Sequence, residues 1–193
     1  MLSEWLRART AGLVGGVARG VAALGLSPNA LTVLGFAFML VVAVVLARGQ
    51  FVMGGVLLVA AALFDALDGS VARLTGRVTK FGAFFDSTLD RFAEAAIYGG
   101  LLWWFWGQGM GREAALAYAT IIGSLMVSYT RARAEGLGVE CKVGWFTRFE
   151  RIAVLVLGLL LGQITVVLLV LAIFSNLTAL QRVWHVYRVL GKR

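Results

Sequence analysis

The chain has 193 residues, 60% of them hydrophobic, a mean hydropathy of +0.87, and 18 Lys and Arg against 10 Asp and Glu. Such a composition excludes a disordered chain and a freely soluble enzyme, because too little polar surface remains to cover a domain of this size. A lone Cys141 and a lone His185 exclude an internal disulfide framework, an imidazole metal site and a His-based triad, which leaves the charged residues to carry any chemistry.

Residues 1–26 spread Glu4, Arg7, Arg9 and Arg19 through Trp5, Leu6, Leu13, Val14, Val17 and Leu24, a pattern that predicts a basic amphipathic helix lying at a membrane surface. A secretory signal would instead gather its charge ahead of one clean apolar run. Ser27-Pro28-Asn29 then marks a break and a helix start, with Pro28 near the first turn, where its missing N–H costs least. Beyond it, apolar blocks of the length needed to cross a bilayer predict spans at 31–47, 52–74, 82–106, 113–133, 148–162 and 164–188.

The last pair also reads as one span over 152–174 followed by a surface helix. Six spans with both ends inside leave all but Arg48 and Arg112 of the 18 basic residues on the cytoplasmic side, which is the bias that orients membrane proteins. Five spans would carry Arg182, Arg188, Lys192 and Arg193 to the outer side. The predicted fold is therefore all-α: an interfacial helix over 1–26 and an integral membrane domain of six transmembrane helices over 27–193, in the cytoplasmic membrane. Most of the glycines inside these spans read as packing residues that let helix backbones approach.

The acids are concentrated. Asp65, Asp68, Asp86, Asp90 and Glu94 all fall on the second and third spans. Asp65 and Asp68 are spaced i,i+3 and Asp86 and Asp90 i,i+4, so each pair lies on one face of its helix. The connection between the helices is short, so the acid-bearing ends come together near the cytoplasmic surface. Carboxylates so close cannot all stay ionised without a cation, and hard oxygen ligands suit Mg²⁺, Mn²⁺ or Ca²⁺. The same residues also suit ion pairs with Arg73, Arg77 and Arg91, or a path for cations through a non-enzymatic membrane protein.

The full pattern is Asp65-x2-Asp68-Gly69-x2-Ala72-Arg73-x8-Gly82-x3-Asp86-x3-Asp90. It resembles the signature of the CDP-alcohol phosphotransferase family, integral membrane enzymes of phospholipid synthesis. The likeness continues through the whole chain, including Pro28-Asn29-x2-Thr32 at the start of the first span. The resemblance implies transfer of a phosphatidyl or related lipid phosphate group from a CDP-linked lipid to an alcohol hydroxyl, with release of CMP. It also implies Mg²⁺ or Mn²⁺ held by Asp65, Asp68 and Asp86 with Asp90 nearby, Asp90 as general base, a homodimer, and no nucleic-acid partner.

By motif position, Asn29, Thr32, Asp68, Gly69, Ala72, Arg73 and Gly82 resemble the residues on the CDP-lipid side. Asn29 reads equally well as a helix N-cap. Ser128 to Glu135 and Arg148-Phe149-Glu150-Arg151 look most like the family branch that uses inositol 1-phosphate, comprising phosphatidylinositol-phosphate and archaetidylinositol-phosphate synthases. That likeness implies an acceptor-phosphate site of Ser128, Arg131, Arg133, Arg148 and Arg151. Such guanidiniums also serve anionic lipid headgroups. Arg131 stands where several bacterial relatives have Lys, and Phe149 replaces a small residue or Pro, which keeps glycerol 3-phosphate as the alternative acceptor.

Overall fold

The computed structural model describes residues 27–74, 76 and 78–191, the side chains of 66–70, 73 and 74 excepted. The predicted interfacial helix over 1–26 lies outside the described residues. Those described form six helices and no strand: α1 (Pro28–Ala47), α2 (Phe51–Leu74), α3 (Lys80–Gly107), α4 (Gly111–Gly136), α5 (Arg148–Leu160) and α6 (Ile164–Leu190).

The helix starts follow local chemistry. Ser27 caps α1, its hydroxyl accepting from the Ala30 amide at 3.2 Å, and Pro28 occupies the first turn. Asn29 is therefore inside the helix, and its expected alternative as the N-cap is overturned. Thr79 caps α3 by accepting from the Gly82 amide at 2.9 Å. α5 begins with a capping box in which the Thr147 amide donates to the Glu150 carboxylate at 2.9 Å, beside the contact between the two side chains.

The continuous span over 152–174 weighed above is also overturned. The chain breaks at residues 161–163, where Gly162 turns it with φ of +69°, a left-handed conformation that suits glycine. α5 and α6 are separate antiparallel helices as a result. Among the described residues, two helices, α1 and α6, are long and apolar enough to cross a membrane by length and composition. α5 has 13 residues, roughly 20 Å of helix, and falls short of a bilayer's hydrocarbon thickness.

Neighbour contacts close the six helices into a ring in the order α1–α2–α5–α6–α4–α3 and back to α1. The interior is apolar, built on Met39, Leu46, Leu58, Leu101, Leu155 and Leu168. Close approaches along the ring depend on small residues. A Cβ at Gly100 in α3 would strike the Ala43 carbonyl of α1, and one at Gly123 in α4 would lie 2.7 Å from Asn176 Nδ2 of α6. Asn176 in turn donates to the carbonyls of Ala119 at 3.1 Å and Ala172 at 2.7 Å, a polar tie between α4 and α6. The outside of the ring exposes Val41, Val56, Leu63, Phe92, Trp103 and Leu180, an apolar belt that water would disfavour.

Candidate active site

Asp65 near the end of α2 faces Asp86 and Asp90 near the start of α3. One carboxylate oxygen from each lies within 4.8 Å of the others. The antiparallel return between α2 and α3 brings the groups together, and the i,i+4 spacing puts both α3 acids on the same face. A cleft beside them is lined by Thr32 and Phe36 of α1, Asp65 of α2, and Leu89 and Asp90 of α3. Gly82 leaves room for α1, since a Cβ there would lie 3.3 Å from Asn29 Oδ1. Asn29, Thr32, Gly82 and the three acids thus collect where three helices meet. Ala72 is half-buried on α2, while Asp68, Gly69 and Arg73 belong to the part of α2 whose side chains are not described.

Two arginines of α5 reach into this region. Arg148 Nη1 donates to Asp90 Oδ2 at 2.6 Å and to Asp65 Oδ2 at 3.0 Å. Arg91 approaches Asp90 from the other side at 3.4 Å and donates to the Ser87 carbonyl at 2.7 Å. Deeper in the ring, Arg151 donates to Glu94 from Nε at 2.6 Å and from Nη2 at 2.8 Å, and to the Phe146 carbonyl from Nη1 at 3.0 Å. A small cavity between the two arginine levels is lined by Glu94, Tyr98 and Arg148, and the Tyr98 hydroxyl and Arg148 Nε are buried without a hydrogen-bond partner.

The residues of the expected acceptor-phosphate set are placed at different depths. Arg151 is 1% exposed and engages Glu94 and a carbonyl through all three guanidinium nitrogens. Arg148 is held on the carboxylates and is not displayed with α4. Ser128 is half-buried, Arg131 is exposed with Glu135 at 2.8 Å, and Arg133 is exposed. Among the described residues, no hydrogen bond or ion pair joins these three to the carboxylate cluster.

Two charged residues in the interior had no role assigned from the sequence. Glu94, one turn beyond Asp90, was legible as an acid on the same helical face. Arg182 of α6 is almost wholly buried. It donates to the Val143 carbonyl at 2.9 Å and to the Val127 carbonyl, tying α6 to α4 and to the 137–147 connection.

The donor set fits a divalent cation: hard oxygen ligands from two helices, with a guanidinium already occupying a cationic position between two of them. The family model for CDP-alcohol phosphatidyltransferase matches residues 25–184. The chain belongs to this family. This phosphatidyltransferase is 37% identical over 175 residues to an archaetidylinositol phosphate synthase of Pyrococcus horikoshii, covering 88% of each chain. It is 35% identical over 194 residues to a phosphatidylinositol phosphate synthase of Mycobacterium marinum, covering 94% of this chain and 82% of the other.

Its fold matches crystal structures of the phosphatidylinositol phosphate synthase of Mycobacterium tuberculosis. The complex with CDP-DAG superposes with a TM-score of 0.85 at 30% identity, covering 90% of this chain and 93% of that one. The complex with manganese and citrate gives a TM-score of 0.85 at 31% identity, covering 90% and 88%. The carboxylates brought together here are those of the motif that first suggested the phosphatidyltransferase family.

Proposed function

We propose that the chain transfers the lipid phosphate group of a CDP-linked lipid, such as CDP-diacylglycerol, to a hydroxyl of inositol 1-phosphate, releasing CMP. The observation that carries this reading is the meeting of Asp65, Asp86 and Asp90 oxygens within 4.8 Å, in a chain whose relatives in archaea and mycobacteria are inositol-phosphate lipid synthases. Asp65, Asp68, Asp86 and Asp90 would hold Mg²⁺ or Mn²⁺. When bound, the metal neutralises pyrophosphate charge and makes CMP a better leaving group.

The protein's own part is positioning and proton transfer. The new bond forms between the acceptor oxygen and the lipid-bearing phosphorus as the bond from that phosphorus to the CMP oxygen breaks. Asp90 takes the hydroxyl proton during this attack. Asn29, Thr32, Asp68, Gly69, Ala72, Arg73 and Gly82 form the CDP-lipid side, and the approach of Asn29 Oδ1 to the space a Cβ at Gly82 would fill supports that grouping. Ser128, Arg131 and Arg133 meet the acceptor phosphate. The exposed Arg131–Glu135 pair is weak enough to exchange Glu135 for a phosphate.

All six helices would lie in the cytoplasmic membrane, with the acid-bearing end and both termini on the cytoplasmic side and residues 1–26 at its surface. The length and apolarity of α1 and α6 and the apolar outer belt support this placement. The glycine-rich helices are compatible with the homodimer that the resemblance implies.

The deciding experiment measures CMP release by the detergent-solubilised full chain from CDP-diacylglycerol, with inositol 1-phosphate or glycerol 3-phosphate as acceptor. Mg²⁺-dependent release with inositol 1-phosphate is expected. Release with glycerol 3-phosphate alone would reassign the acceptor, and release with neither would reject the reaction.

A further inference from the structure

Arg148 and Arg151 of α5 meet α3 as two parallel rungs, Arg148 on Asp90 and Arg151 on Glu94. The spacing of three on α5 and four on α3 places each pair on one helical face. These helices are not neighbours in the ring: α5 packs on α2 and α6, and α3 on α1 and α4. The two arginine side chains therefore cross the interior.

The rungs are held differently. Arg151 engages its three nitrogens, and its pair with Glu94 is almost wholly buried. Breaking that rung would strand a charge in apolar surroundings, so it stays fixed. Arg148 uses Nη1 for both Asp65 and Asp90, its Nε is buried with no acceptor, and its side chain is 23% exposed. A part-buried pair is held less firmly than the buried rung and costs less to break. The oxygens that receive Arg148 also belong to the three-carboxylate cluster. A guanidinium and a divalent cation repel one another and compete for those oxygens.

We infer that Glu94 and Arg151 are positioning residues that seat Arg148 on the carboxylate cluster, where its guanidinium is a resident counter-cation displaced when the divalent metal binds. The inference rests on the metal-site reading above. Arg148 keeps the acids paired before loading and weakens metal binding by competing for Asp65 and Asp90. The buried rung fixes the face of α5 that makes this competition possible.

The test is equilibrium Mn²⁺ binding to the detergent-solubilised full chain without substrate, read from the electron paramagnetic resonance signal of free Mn²⁺. Arg148→Gln is expected to tighten binding about fivefold, the worth of giving up a partly exposed ion pair. The double variant Glu94→Gln/Arg151→Met, which leaves no lone buried charge, should tighten it similarly, and adding Arg148→Gln should then change nothing further. If the double variant does not fold, Glu94→Asp shortens the reach and carries the same expected direction.

Unchanged or weaker binding in Arg148→Gln overturns the inference. A folded positioning-pair variant with wild-type affinity also overturns it and makes that pair a stabilising contact only. Failure of the metal-site reading looks different: Asp86→Asn would then bind Mn²⁺ as the wild type does.

Discussion

Asp90 stands between two arginines and two other acids, contributed by α2, α3 and α5. Asp90→Asn keeps the shape and removes the proton acceptor. CMP release is expected to fall by about 10²-fold or more while CDP-lipid binding persists, and near-normal turnover would remove Asp90 from the role of base. Arg182→Met tests a structural role. It strips donors from the Val127 and Val143 carbonyls, so the unfolding midpoint in detergent should drop by the equivalent of about 1–3 kcal/mol. Asp65, Asp86 and Asp90 were readable in the sequence because helical spacing and a short return fix where they point. The pairing of Arg151 was not readable, because spacing gives the face of a helix and not its depth or the distant acid it finds. Its partner Glu94 lies 57 residues away in the chain.

Helices were the most legible feature. Apolar runs ended by Gly-containing turns place the predicted spans close to α1–α6, and the charge bias separates α5 from α6 in agreement with the break at Gly162. The order around the ring was not legible, because helices of similar apolarity do not announce their neighbours. It follows from local fits such as Gly100 against Ala43, where backbone meets backbone. Gly100→Ala is expected to force α1 and α3 apart and destabilise the protein by about 1–3 kcal/mol, measured as a lower unfolding midpoint. Gly99, with open space at its Cβ position, is the internal control: Gly99→Ala should leave the midpoint unchanged or raise it. The shortness of α5 has a functional side. With 13 residues it starts deep in the ring, which brings Arg148 in its first turn to the height of the acids.

At the scale of the molecule, the two ends differ. The connections at 48–50, 108–110 and 161–163 are tight, whereas 137–147 is longer and lies at the end that carries the acids. The proposed orientation predicts distinct labelling from the two sides of the membrane. Cys141 is fully buried, and a Cys141→Ser background removes it altogether. In that background Gln108→Cys should react with a membrane-impermeant maleimide on intact cells, and Glu140→Cys only after permeabilisation. The opposite pattern would invert the topology.

The two-rung link between α3 and α5 also sets a schedule for biogenesis. Asp90 and Glu94 leave the ribosome 58 and 57 residues before Arg148 and Arg151. At about 5–20 residues per second, the nascent α3 carries its acids for roughly 3 to 12 s before those cations are synthesised. Until then Asp90 has Arg91 of its own helix beside it, whereas Glu94 waits for Arg151, and the insertion machinery has to shelter that charge until a later segment arrives. A ribosome stalled between α4 and α5 would therefore leave α3 prone to slip back toward the aqueous side, which makes completion of α5 a checkpoint for stable integration.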